Sequence, residues 1–300
     1  MEIKKIEKRR PKVALLVDAW FPLFGGGQVH CAEIAKFLLK DYDVEIITRK
    51  INGRMTYFEK QMADTEGLKV IELGFKSEFG NPFMRIWYMV AVFFVLLWKN
   101  FFGSRYDLYH AHAVSSAIPM KFASWITGVP TVLTVHGSTI FQKAWTLKNI
   151  IERVILLETK YNHEISVSEN FLKARNVNKN VSVIPNGINL ERFDAIPDQA
   201  TDATFDVIFV GRLDYIKGVD VLLKAVKKVV ESNEFIQSHK DFLVHIVGEG
   251  AEKNNLMRLC KKFEIEKHVK FHGKVSGEPL VNLYKSSDIF VLPSRSEGFP

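Results

Sequence analysis

The chain has 300 residues, which at about 150 residues per domain is room for two. Hydrophobic residues make up 47% of it and charged residues 25%, a balance that excludes disordered, collagen-like and disulfide-scaffold proteins. The 41 basic and 34 acidic residues leave a net charge of +7, and no aromatic-rich basic stripe points to nucleic acid. More than half of that excess sits in residues 1–12, where Lys4, Lys5, Lys8, Arg9, Arg10 and Lys12 face only Glu2 and Glu7. Such a tail reads as a solvated terminus or as a contact for an anionic membrane surface. Cys31 and Cys260 lie far apart in helix-like stretches, so no disulfide framework is expected and a reducing, cytoplasmic compartment is.

Short apolar runs alternate with amphipathic stretches along the chain. The first run, Lys12–Asp18, stops too soon for the core of a secretory signal and reads as a strand. Gly25-Gly26-Gly27 follows it, ahead of a helix at Val29–Leu39. Consecutive glycines permit positive φ and leave backbone N–H groups uncovered, so this loop is a candidate anion cradle. Strands follow at Val44–Thr48 and Lys69–Leu73. Then comes Ile86–Trp98, thirteen residues without a charge. That is short of the ~20 residues that span a bilayer, and a helix apolar all round is either core or in contact with lipid. With its flanks it makes residues 86–102 a second candidate for peripheral membrane contact.

Further strands are expected at Asp107–Ala111, Thr131–Val135, Glu164–Val167 and Val181–Ile184. His110 and His112 share one strand face, and His136 stands where the next strand becomes a loop. His-x-His raises the question of a metal, but no Cys or acid at ligand spacing accompanies it, so none is expected. Asp194–Thr204 is polar, holds Pro197 and lacks periodicity, so it reads as a linker between a domain at 1–196 and another at 204–300.

The second domain opens with strand Phe205–Val210, which runs into Gly211-Arg212-Leu213-Asp214-Tyr215-Ile216-Lys217-Gly218 and a helix at Val219–Val230. Arg212 and Lys217 suit phosphate oxygens, unless Asp214 merely caps the helix beside solvated cations. Leu243–Val247 ends in Gly248-Glu249-Gly250, a tight turn, with a helix at Ala251–Phe263 and strands at Val269–Phe271 and Ile289–Leu292 after it. Glu297, beyond the last strand, could accept hydrogen bonds from sugar hydroxyls or equally be an acid at a helix N-terminus. Strand, helix, strand in this order predicts an α/β protein with two Rossmann-like, doubly wound parallel-sheet domains facing across a cleft, where a ligand would bind.

Together these motifs resemble the retaining glycosyltransferases of family 4, which have the GT-B fold. The resemblance runs from Lys12 to Pro300. It rests on the triple glycine, Asp107-Leu-Tyr-His-Ala-His112, Thr134-Val-His-Gly137, Val183-Ile-Pro-Asn-Gly-Ile-Asn-Leu-Glu-Arg-Phe193, Val210-Gly-Arg-Leu213 with Lys217-Gly218, Phe271-His-Gly-Lys-Val275 and Pro293-Ser294 with Glu297-Gly-Phe-Pro300. It implies that His136, Arg212, Lys217 and Glu297 are the catalytic set. It implies further that Gly25, Gly26, Gly27, Gly298 and Phe299 meet the donor diphosphate and sugar, and that Gly273, Lys274 and Val275 line the nucleotide base. It implies retaining transfer from a nucleotide-sugar to a glycan or lipid-linked acceptor, at the inner face of the membrane, without cofactor or metal. The motif begun by Glu297 is cut before its second glutamate, so the second domain is expected to be incomplete. Two other readings share the fold: a membrane-associated binding subunit without turnover, and a nucleotide-sugar epimerase.

Overall fold

A computed structural model describes residues 9–295, except 24, 56, 137–145, 170–172, 174–176, 189, 195, 198–204 and 233–241. It forms two compact units that divide between Gly187 and Ile188. The expected linker, Asp194–Thr204, starts seven residues later; part of it lies outside the described residues, and Glu191–Asp194 form a short helix of the second unit.

The first unit runs β1 (Lys12–Val17), α1 (Gly26–Leu38), β2 (Asp43–Ile51), α2 (Tyr57–Ala63), β3 (Lys69–Ser77), α3 (Pro82–Phe102), β4 (Leu108–His112) and α4 (Val114–Thr127). It continues with β5 (Thr131–Val135), α5 (Leu147–Arg153), β6 (His163–Ser166) and β7 (Val181–Val183). Its seven strands are parallel, in the order β3-β2-β1-β4-β5-β6-β7. All six residues of β1 are buried, as befits a strand covered on both faces. Val13, Leu15 and Val17 pack with Cys31, Ala32 and Ala35 of α1, while Ala14 and Leu16 pack with Tyr88, Val92 and Leu96 of α3 and Met120 of α4. The period of two in the strand thus divides one sequence between two cores.

The second unit runs α6 (Glu191–Asp194), β8 (Phe205–Val210), α7 (Val219–Glu231), β9 (Phe242–Val247), α8 (Lys253–Phe263), β10 (Val269–Gly273), α9 (Glu278–Lys285) and β11 (Ile289–Phe290). The four strands are parallel, in the order β10-β9-β8-β11. Helix α7 turns Val219, Leu222, Leu223 and Val226 inward at helical spacing, onto Val207, Phe209, Val244 and Ile246.

Two expectations change. The basic tail is tied down over its described part. Arg9 lies 2.8 Å from Asp107, Arg10 donates to the Leu39 carbonyl, and Lys12 is buried with its Nζ 2.6 Å from Glu45 Oε1. Lys12 is therefore no membrane contact, because it begins the central strand; residues 1–8 lie outside the described residues. The charge-free segment is neither wholly core nor wholly exposed. It is the centre of α3, a 21-residue helix that buries Tyr88, Val92 and Leu96 and exposes Ile86, Trp87, Val90, Phe94 and Trp98. It is the one helix among the described residues long and apolar enough to cross a membrane, yet its buried stripe holds it against the sheet.

Candidate functional site

In an open parallel sheet, ligands bind beyond the carboxyl ends of the strands, where the strand order reverses. In the first unit that point lies between β1 and β4, since Val17 pairs with Thr48 on one side and His112 on the other. His110 and His112 pair in register with Leu15 and Val17, so their rings lie on the α1 face of the sheet, with ring centres 4.4 Å apart. His110 Nε2 is 2.8 Å from Thr134 Oγ1, and His112 Nδ1 is 2.9 Å from His136 Nε2. Helix α1 adds His30, whose ring centre is 4.6 Å from that of His136. Sequence reasoning missed His30; its signal is a histidine in the second turn of the helix that follows the glycines, facing the neighbouring His-x-His strand.

Burial, reinforced by the neighbouring imidazoles, lowers the pKa of His110 to about 3 and that of His136 to about 4. His112 is pushed down by the same causes and His30 by burial, so the cluster is neutral at pH 7. Each neutral ring has one donor and one acceptor. After the His112–His136 bond, His30 Nε2, His112 Nε2 and His136 Nδ1 are buried without a hydrogen-bond partner among the described residues. The third histidine comes from α1 and not from a Cys or an acid: His30, His112 and His136 bring ligand nitrogens within 4.8 Å of one another and could hold a divalent transition metal. The shortest separation, however, is a hydrogen bond. Two nitrogens bound to one tetrahedral ion at 2.0–2.1 Å stand about 3.3 Å apart. An ion held through His112 Nδ1 and His136 Nε2 would have to break that bond, whereas an ion or a polar substrate group could meet the three nitrogens that have no partner among the described residues.

The glycine loop differs from its expectation. Gly25 is extended (φ −174°) and caps α1 without a side-chain hydrogen bond, and Gly26 and Gly27 already belong to the helix. None of the three needs a positive φ. A Cβ at Gly26 or Gly27 would meet no atom within 4 Å, so the glycines leave space at a helix N-terminus that has no side-chain cap. Beside this loop, Asp18 lies 3.4 Å from Nε of the buried Arg49 and 3.1 Å from Nε of Arg85, a set not singled out in the sequence.

In the second unit the order reverses between β8 and β11, and the turn after β8 carries Arg212 and Lys217. Asp214 is a cap, as the alternative reading foresaw, but of the short turn ahead of α7 and not of α7 itself, and it adds an ion pair that was not foreseen. Its side chain accepts from the Lys217 N–H at 3.2 Å, capping the 3₁₀ turn Tyr215–Lys217, and it lies 2.8 Å from the exposed Arg212. Gly218 leaves that turn at φ +68°, and a Cβ there would stand 2.1 Å from the Pro293 carbonyl. Arg295, also unnoticed in the sequence, braces the same turn after β11. Its guanidinium lies 4.0 Å from the centre of the Tyr215 ring and 2.8 Å from Asp220, and its N–H donates to the Ile216 carbonyl at 2.7 Å. Gly248 and Gly250 make the tight turn expected after β9 and let it press on the β8 turn backbone to backbone. Gly273 ends β10 at φ +70°, with Lys274 and Val275 following. Glu297, Gly298 and Phe299 lie outside the described residues.

Comparison with known proteins identifies the family and the fold. Residues 24–192 match the family described as Glycosyltransferase Family 4, and residues 194–300 match Glycosyl transferases group 1. An uncharacterized glycosyltransferase of Methanocaldococcus jannaschii is 26% identical over 96% of this chain and 76% of its own length. One component of the human phosphatidylinositol N-acetylglucosaminyltransferase is also 26% identical, over 97% of this chain, which spans 59% of the human protein. Among solved structures, Anabaena HepE in complex with UDP and glucose superposes with a TM-score of 0.70 at 17% identity, covering 96% of this chain and 76% of that one. Two parallel α/β units, each with its candidate residues at the switch point of its sheet, are the GT-B architecture, and the chain belongs to glycosyltransferase family 4.

Proposed function

We propose that the protein transfers a hexose from a nucleotide-sugar to a hydroxyl of a glycan or lipid-linked acceptor, with retention of anomeric configuration and no resident metal. The observation that carries this reading is the pair Arg212 and Lys217, borne on a turn braced at the switch point of the second sheet. As the glycosidic bond breaks, negative charge grows on the departing nucleoside diphosphate. Two cations on a rigid turn beside the N-terminus of α7 stabilise that charge more than they stabilise the ground state. His136, neutral and with no partner for Nδ1 among the described residues, would hydrogen-bond the sugar, while the start of α1 at Gly25–Gly27, which has no side-chain cap, would accept an anionic group. Glu297, Gly298 and Phe299 would meet the sugar, and Gly273, Lys274 and Val275 the base. Retention, with attacking and leaving oxygens on one face of an oxocarbenium-like sugar, does not need the two flanking carboxylates of glycoside hydrolysis.

The relatives lend support: one is part of a phosphatidylinositol N-acetylglucosaminyltransferase, and another was crystallised with UDP and glucose. Exposed Trp87, Phe94 and Trp98 on α3 support contact with an anionic membrane at its inner face. A thermal-shift screen of UDP-, GDP- and ADP-sugars should show one donor raising the melting midpoint. Arg212→Ala or Lys217→Ala should each lower turnover about 10²-fold or more in a folded protein, with full activity retained in EDTA. Near wild-type kinetics in the folded double variant would overturn the assignment. Failure to sediment with phosphatidylglycerol vesicles at low salt would overturn the membrane part.

A further inference from the structure

Helices α3 and α4 pack side by side on one face of the first sheet. Between them runs a groove of about 510 Å³, lined only by apolar side chains, among them Met89, Phe93, Ile118, Phe122, Trp125 and Ile126. That volume is ordinary for a small-molecule site, but such sites combine apolar walls with a few convergent polar groups, and the walls here offer none. A sugar or nucleotide would lose its hydrogen bonds in the groove without replacement. The flanking surfaces are apolar too, with Phe122, Trp125 and Ile126 more than half exposed. A flat bilayer surface can cover such ridges, but it leaves a concave groove unfilled, whereas a single hydrocarbon chain fits it.

Charge selects the kind of chain. Across α3 and α4 the charged residues are Arg85, Lys99 and Lys121, with no Asp or Glu. Arg85 stands one helical turn before Met89 and two before Phe93, so it heads the stripe that enters the groove. Its guanidinium lies over the Phe79 ring at 5.3 Å and reaches Asp18, just past β1, at the reacting end of the sheet. Arg49 and Arg85 together outnumber Asp18 there by one positive charge.

We propose that the groove seats one hydrocarbon chain of a phosphate-bearing lipid, with Arg85 holding the phosphate at the end nearest β1. This deepens the acceptor reading above and rests on it: the acceptor would be drawn by its chain between α3 and α4 and its head presented toward the histidine cluster.

The test uses titration calorimetry on the whole chain, with amphiphiles kept below their micelle concentrations. Dodecyl phosphate should bind about tenfold or more tightly than dodecyl maltoside, the worth of a charge-assisted hydrogen bond, and inorganic phosphate should not register at millimolar concentration. Phe122→Asp and Ile126→Asp alter exposed positions and should each abolish dodecyl phosphate binding, with folding checked by circular dichroism. Arg85→Gln should bring dodecyl phosphate down to the affinity of dodecyl maltoside. Binding unchanged by both groove variants overturns the proposal, as does equal binding of the two amphiphiles by the wild type. Sedimentation with phosphatidylglycerol vesicles without binding of monomeric dodecyl phosphate also overturns it, and makes this face a bilayer contact instead. Loss of the donor thermal shift with dodecyl phosphate binding intact would count against the transfer reading and not against the groove.

Discussion

At the switch point of the first sheet, the candidate residues are held by side chains. His110 bonds Thr134, His112 bonds His136, and His30 closes the group from α1. At the switch point of the second sheet Asp214 and Arg295 brace the turn, but its close approach to its neighbours depends on the absence of side chains. The Gly211 N–H donates to Val247, the Leu213 N–H donates to Glu249, and a Cβ on Gly218, Gly248 or Gly250 would run into a neighbouring carbonyl. The two arrangements respond differently to change. A packed cluster of neutral rings is graded, losing stability by degrees as protons or substitutions reach it. A turn built from backbone pressed on backbone has no soft atom to yield, so a single methyl group disrupts it. The moving charge of the proposed reaction is assigned to the stiffer turn, consistent with stabilisation by groups that do not reorganise.

The largest expected effect is therefore on the second unit. In Gly248→Ala the new Cβ would sit 1.8 Å from the Gly211 carbonyl oxygen at φ +140°, strained in both contact and backbone. We expect a loss of at least about 4 kcal/mol, read by urea denaturation, with limited proteolysis cutting the second unit first. Gly25→Ala is the matched control in the first unit, because its Cβ meets only the flexible end of Gln28, at 3.0 Å, in an extended backbone. Equal destabilisation by the two would end the contrast.

Next in size is Lys12→Met. Burial alone would raise the Glu45 carboxyl, but hydrogen bonds from Lys12 and Tyr106 and the charges of Lys12 and Lys99 outweigh it and hold the group ionised below its ordinary pKa. Removing Lys12 from this buried set should cost about 3 kcal/mol. Restoring the balance with Lys12→Met/Glu45→Gln should recover part of that cost; equal stability of the single and double variants would show that Lys99 alone suffices.

The histidine cluster should follow pH. Its folded pKa values are depressed, that of His136 to about 4 from 6.5, so below pH 6.5 the unfolded chain takes up protons that the folded one refuses. The stabilisation is complete above 6.5 and is lost as pH falls from there toward 4. His136→Asn should flatten that part of the stability curve; an unchanged slope would place the titration elsewhere.

Much of this was legible in the sequence, and the rest was not, for physical reasons. Buried parallel strands read as unbroken apolar runs, so Thr131–Val135 and Phe205–Val210 emerge with their observed bounds. Cations beside glycines after a strand mark the Arg212–Gly218 turn without further help. Long-range register is different, because nothing local to His30 says that α1 will lie against β4 and β5, and nothing local to Arg295 says that β11 returns beside β8. The Asp18–Arg49–Arg85 set draws on three elements and was hidden for the same reason. Composition left α3 open between core and partial exposure, since apolarity all round does not reveal which stripe meets the sheet; only packing picks out Tyr88, Val92 and Leu96.

The smallest expected effect tests whether the first edge holds any of the second edge's rigidity. Ala113, between His112 and α4, has φ +76° and ψ 164°, a backbone region that glycine occupies and alanine does not. Its N–H reaches the Thr134 carbonyl only at 3.4 Å, so no strong hydrogen bond compensates. Strain there costs about 1–3 kcal/mol, from which the greater unfolded freedom of glycine takes back about 0.4–1. Ala113→Gly should therefore stabilise the protein by about 1 kcal/mol, seen as a rise in Tm of a few degrees, opposite in sign to Gly248→Ala. Because residue 113 directly follows His112, freeing it should also loosen the ring that bonds His136, lowering turnover while stability rises. A variant that gains stability with full turnover would show the strain to be incidental to the site. One that loses stability would show that the surroundings of β4 and α4 hold this backbone in place without strain.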